Sequence, residues 1–198
     1  MKYDITYSGN NLNGIIRNFI TKFSSIDDII TVSASSVLFE RPECTLNSSL
    51  CPHSFSTNIV DSEPQWLMVE FCKAIIYLNS YSLLSSFNDP GSYFHLKGWD
   101  LKASIDGEKW DIIDSHSNSE ELNSLGANKN FNCSEGLYRF FKVQQTEKGF
   151  TGKYGFSIRQ IEFFGTVIET EYVPKPHMHS CVRKYKYSNF NIFSLNYI

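Results

Sequence analysis

An all-β chain folded as an antiparallel sandwich is what the sequence predicts, and three observations carry that prediction. Residues 99–106 alternate strictly, with Trp99, Leu101, Ala103 and Ile105 on one face and Asp100, Lys102, Ser104 and Asp106 on the other. That period of two is the pattern of a half-buried strand. Asp106-Gly107 then offers the residues that reverse a chain, and Trp110, Ile112 and Ile113 restart the apolar run. Elsewhere, short apolar stretches recur between turn residues without alternating helices, which argues for stacked sheets, a jelly roll of about eight strands.

Taken in order, residues 1–10 read as a short lead-in. Ile15, Ile16, Phe19, Ile20 and Phe23 follow at spacings of three and four, a helical stripe expected to seal one end of the sandwich. The β-branched stretch 26–37 holds at least one strand. Residues 41–64, rich in Pro, Ser, Asn and Cys, read as a loop long enough to suggest a functional role. Strands are expected at 66–71, 74–78, 81–86, 99–105, 109–113, 137–145 and 156–164, with 115–132 a polar surface loop. There is no internal repeat. Past Gly165 the composition shifts, so the chain divides into a sandwich over 1–168 and a basic, aromatic C-terminal extension over 169–198.

With 198 residues, 41% of them hydrophobic and 15% aromatic, the chain can build a real core and is not a disordered segment. A net charge of −3 gives no whole-molecule attraction to nucleic acid or to an anionic membrane, and neither is expected as a partner. No apolar run approaches the roughly 20 residues of a membrane span. The opening Met1-Lys-Tyr-Asp-Ile-Thr-Tyr7 lacks the apolar stretch of an export signal. Five cysteines, Cys44, Cys51, Cys72, Cys133 and Cys181, make an odd count that suits a disulfide framework poorly. The expectation is therefore a cytoplasmic chain with five reduced thiols.

Four segments in order carry a family likeness: Pro64-Gln-Trp-Leu-Met-Val-Glu-Phe71, the stretch Leu96 to Trp110, Gly136-Leu-Tyr-Arg-Phe-Phe-Lys-Val-Gln-Gln-Thr146, and Ile158-Arg-Gln-Ile-Glu-Phe-Phe-Gly165. Together with the helical entry segment, residues 10–168 resemble the F5/8 type C, or discoidin, family of galactose-binding-like β-sandwiches. The intracellular variant found in protists is the most similar. The resemblance implies a binding module rather than an enzyme. It also implies that ligands are gripped at one sandwich end. Secreted members commonly join their domain ends by a disulfide, and no cysteine pair flanks residues 10–168 in that way.

No catalytic constellation is present: there is no nucleophile elbow, no HExxH pair and no Cys/His signature. His177, His179 and Cys181 alternate, and Cys51-Pro-His53 adds two more candidate ligands, but without a CxxC pair zinc is not expected. Some members of the resembled family hold calcium before the first core strand. Asp61 and Glu63 stand there, short of the oxygens calcium requires, so no metal and no cofactor are expected. Gly149-Phe-Thr-Gly-Lys-Tyr-Gly155 precedes a strand and lacks the ending of a phosphate loop. It reads as a strand-to-strand loop displaying Phe150, Lys153 and Tyr154 at a sandwich end, where they either grip a ligand or merely cap the fold. Arg139 and Glu162 fall within core-type strands, where a buried charge must be partnered.

Arg183, Lys184 and Lys186 alternate with Tyr185 and Tyr187, so an extended tail would show cations on one edge and rings on the other. Such a tail either docks on a protein partner or straps its own sandwich. The functional expectation is a non-catalytic intracellular scaffolding module docking on a larger protein assembly. Discoidin-like domains occur in ciliary and flagellar proteins, so the resemblance also implies a cytoskeletal, microtubule-associated partner. The alternative is a lectin-like module whose partner is a carbohydrate.

Overall fold

Strands with one apolar face must bury it, and two such faces brought together make a sandwich. A computed structural model describes residues 1–23, 25–26, 28–87 and 94–170. In chain order the elements are β1 (Lys2–Ile5), α1 (Ile15–Lys22), β2 (Ile30–Ala34), a 3₁₀ turn (Pro42–Leu46), β3 (Phe55–Ser56), β4 (Trp66–Phe71), β5 (Ala74–Ser85), β6 (Trp99–Ser104), β7 (Asp111–His116), β8 (Asn128–Tyr138), β9 (Phe140–Gln145) and β10 (Ser157–Glu169). One sheet runs β1-β10-β5-β8, with β3 on the start of β10; the other runs β2-β4-β9-β6-β7. Every pairing is antiparallel.

Between the sheets lie Leu67, Val69 and Phe71 of β4, Leu101 of β6, Phe141 and Val143 of β9, Ile76 and Leu83 of β5, and Phe163 of β10. The Phe141 and Phe163 rings meet at 4.7 Å, the edge-on Phe71 ring completing an aromatic centre. Helix α1 buries Ile15, Ile16 and Phe19 against this core, as its spacing predicts. Its own cap position, Gly14, offers no side chain. The fully buried Glu162 of β10 supplies the missing acceptor, taking the amides of Ile16 at 3.0 Å and Arg17 at 2.8 Å. A carboxylate at a helix start satisfies orphan N–H groups and the helix dipole together. A Cβ on Gly14 would stand 2.4 Å from that carboxylate, so glycine is needed there.

Several boundaries differ from the sequence expectation. The lead-in forms β1, which pairs with residues 165–168 and covers the edge of β10. The stretches 74–78 and 81–86 merge into β5, whose register shifts at Leu78/Ser80 mark a bulge rather than a break. Conversely, 137–145 divides at Arg139 into β8 and β9, which belong to different sheets. β8 begins inside the supposed polar loop, because an edge strand with an exposed outer face needs few apolar residues there.

The alternation of β6 stops at Ser104, leaving Ile105 46% exposed. Ser104 Oγ accepts the Gly107 amide at 2.8 Å and Asp106 Oδ1 the amides of Glu108 and Lys109. The reversal is thus a longer loop with Gly107 at φ +78°, and β7 starts only at Asp111. Trp110 consequently leaves the core and lies half-buried on the outer face, whereas Trp99 is fully buried as expected. The expectation of five reduced thiols is also corrected: Cys44 and Cys51 form a disulfide across the 3₁₀ turn, leaving Cys72 and Cys133 free among the described residues.

Candidate functional site

Strand ends decide which loops meet. The pairs Trp66↔Gln144, Trp99↔Gln145, Trp99↔His116, Ile158↔Ser85 and Leu84↔Asn128 gather four connections at one end of the sandwich: 35–65, 86–98, 117–127 and 146–156. Phe150, Lys153 and Tyr154 stand on the last of these.

That loop is firmly seated. Buried Gln145 accepts the Gly155 amide at 2.9 Å and donates back to its carbonyl at 3.3 Å. Gly155 has φ +139°, and a Cβ there would meet the Asn58 carbonyl at 2.8 Å, so both the backbone and the close approach require glycine. Tyr154 and Val60 exchange both backbone hydrogen bonds at 2.8 Å, fastening the loop to the segment before β4. Lys153 donates to Asp61 at 3.3 Å, and Lys148 approaches the same carboxylate at 3.9 Å. Asp61 is thereby engaged by two lysines, the opposite of a calcium ligand awaiting its ion.

At the other flank the Lys97 ammonium lies 5.9 Å from the Phe150 ring centroid and 3.9 Å from Glu147. Glu147 also accepts the amide of Asn118, tying the β7–β8 loop to this corner. Phe87, 51% exposed, lies on Gly126 of that loop. The rim therefore offers an aromatic ring, a cation and a carboxylate side by side, with a second exposed ring on the neighbouring loop.

Beneath the rim runs a buried polar chain. Trp99 Nε1 donates to the Tyr81 hydroxyl at 2.9 Å, and Tyr81 donates to Asp114 at 2.8 Å. Asp114 also meets His116 Nε2 at 2.8 Å, and the imidazole stacks on Trp99 with centroids 4.2 Å apart. Burial and then the Asp114 charge raise the Tyr81 hydroxyl well above its usual range. Burial pushes the Asp114 carboxyl up, but hydrogen bonds from His116 and Tyr81 outweigh it and hold the group below its ordinary value. Glu121 of the β7–β8 loop lies 3.9 Å from His116 Nδ1, so this chain positions a rim loop.

The two strand charges find structural partners, though not each other. Arg139 reaches Glu70 at 3.3 Å and the carbonyls of Phe71 and Cys72, while Glu162 serves α1. Glu40, Cys44 and Cys51 bring three candidate metal-ligating atoms together, but both sulfurs are spent in the disulfide. Arg183, Lys184, Tyr185, Lys186 and Tyr187, like His177, His179 and Cys181, lie outside the described residues. The sequence singled out Phe150, Lys153 and Tyr154 but missed Lys97, Glu147, Asn118 and Phe87. Its sole hint was Lys97-Gly98 at the mouth of β6; a Cβ on Gly98 would stand 2.4 Å from the Glu147 carboxylate.

No protein-family model and no curated protein matches the sequence. Solved structures do match the fold. The C-terminal domain of a chitobiase from Bacteroides fragilis aligns with a TM-score of 0.58 at 15% identity, covering 73% of this chain and 99% of that one. The family 32 carbohydrate-binding module of Clostridium perfringens NanJ, solved with galactose, gives 0.55 at 16%, covering 68% and 93%. The lectin domain of Lectinolysin, complexed with Lewis B antigen, gives 0.55 at 14%, covering 80% and 99%. The chain thus has the discoidin-like, galactose-binding-like β-sandwich fold.

Proposed function

We propose that this protein is a carbohydrate-binding module that grips a sugar at the loop-bearing end of its sandwich, without catalysis. The supporting observation is the corner where the Phe150 ring, the Lys97 ammonium and the Glu147 carboxylate adjoin. A pyranose presents an apolar C–H face and a fringe of hydroxyls, and an aromatic platform beside charged hydrogen-bonding groups suits both. Three structural neighbours are a family 32 module bound to galactose, another bound to a GalNAc-galactose disaccharide and a lectin domain bound to Lewis B, which sets the sugars to try first. Calorimetric titration of galactose- and GalNAc-terminated oligosaccharides tests the reading. Phe150→Ala is expected to weaken binding about tenfold or more with melting unchanged. Equal affinity in that variant, or no binding across the panel, would sink it.

Docking on a larger protein assembly, cytoskeletal or ciliary, is the second reading. It rests on the alternation of Arg183, Lys184 and Lys186 with Tyr185 and Tyr187. Deleting residues 169–198 tests it: a lost partner with unchanged melting supports docking, and lowered melting with the partner retained supports a strap. A cytoplasmic location goes with this second reading, whereas the Cys44–Cys51 bond favours an oxidising compartment under the first.

A further inference from the structure

The outer face of the β2-β4-β9-β6-β7 sheet carries a second constellation, far in sequence from the rim residues. Met68, Lys142, Lys102 and Ile112 stand in one row across β4, β9, β6 and β7. Lys102 and Lys142 are direct cross-strand partners. Like charges so placed repel, and among the described residues no carboxylate lies within ion-pair distance of Lys142. Lys102 reaches only Asp100, at 4.0 Å. Burial and then the Lys102 charge hold the Lys142 ammonium below the usual lysine range.

Indole rings flank this pair. The Lys142 ammonium lies 3.9 Å from the Trp110 centroid and 5.7 Å from that of Trp66. Ile112 beside them is 59% exposed. Cation–π contact accounts for the rings around Lys142, but not for a second lysine opposite it, in a chain whose net charge is −3. The missing component is an anion that also brings apolar surface.

We propose that this face binds a uronic-acid-containing glycan, with its carboxylate bridging Lys102 and Lys142 and the C–H face of its ring lying over Trp66 and Ile112. Adjacent strands are about 4.8 Å apart, so two ammonium groups on neighbouring strands can each take one oxygen of a single carboxylate. An acidic peptide satisfies the lysines equally well, but a glutamate stem leaves the indole and isoleucine surface uncovered. A uronate ring covers it while placing its charge between the lysines. The site shares no residue with the rim, so either can fail without the other.

Calorimetry on the full chain at low salt, with tetragalacturonate and its methyl ester as probes, tests the proposal. The acid is expected to bind, more weakly as salt rises, and the ester about tenfold more weakly or worse. The double variant Lys102→Gln/Lys142→Gln should lose about tenfold or more, with melting no lower than wild type because a repulsion has been removed. Phe150→Ala should bind the acid as wild type does, whatever it does to neutral sugars. No binding of the acid, equal binding of acid and ester, or full affinity in the lysine variant overturns the proposal. So does loss in Phe150→Ala, which would move the uronate to the rim. Oligoglutamate binding more tightly than tetragalacturonate overturns it in favour of an acidic protein partner.

Discussion

Trp99 and Trp110 show how much one residue's register decides. Both are apolar and near one turn, yet Trp99 is fully buried with its indole N–H on Tyr81, while Trp110 lies half-buried over the outer strands. Removing Trp99 leaves a large void and strips Tyr81 of a donor. Trp99→Ala should therefore cost about 3–5 kcal/mol, and Trp110→Ala about 1 kcal/mol, read from denaturant melts of each variant. Equal losses would contradict the outward placement of Trp110. The alternation in β6 made Trp99 legible from the sequence. Trp110 was misjudged because the reversal is held by Ser104 and Asp106 side chains, which lengthen it beyond a two-residue turn.

Helix α1 depends on an element remote in sequence, since Glu162 of β10 caps its first turn. Burial raises the Glu162 carboxyl to about 8 from an ordinary 4.5, against the lowering effect of the Arg17, Ile16 and Phe163 amides. The folded state then holds this proton more tightly than the unfolded chain, so its contribution to stability is complete below about 4.5 and fades as pH rises through about 8. Glu162→Gln, which mimics the protonated form, should flatten that part of the pH–stability curve. A wild-type curve no steeper than the variant's across this range would show that the carboxylate is ionised in the fold. At the same scale, the 3₁₀ turn and following loop are fastened by Cys44–Cys51 and by Arg159, which donates to the carbonyls of Ser48, Cys51 and His53. Thiol labelling under denaturing, non-reducing conditions should find at most three free groups per chain, five cysteines less the bonded pair. Five would restore the reduced chain. Reducing the bond should cost about 2 kcal/mol, as for other short loops.

For the molecule as a whole, strand identity, the amphipathic helix and the sandwich class were fixed by the sequence alone. Burial on a pleated or helical face imposes a period that neighbouring residues display directly, as Trp99, Leu101 and Ala103 do for β6 and Ile15, Ile16 and Phe19 for α1. Phe150, Lys153 and Tyr154 were legible for a similar local reason, the glycines that make their loop a turn. Which partners those residues meet was decided only by tertiary structure. Glu162 and Ile16 are 146 residues apart, and Asn118 and Glu147 are 29 apart. The Lys102–Lys142 pair exists because β9 adds beside β6 in one register. Contacts of this kind depend on sheet order and loop closure, and a polar residue on a strand or loop carries no period to announce what will stand opposite it.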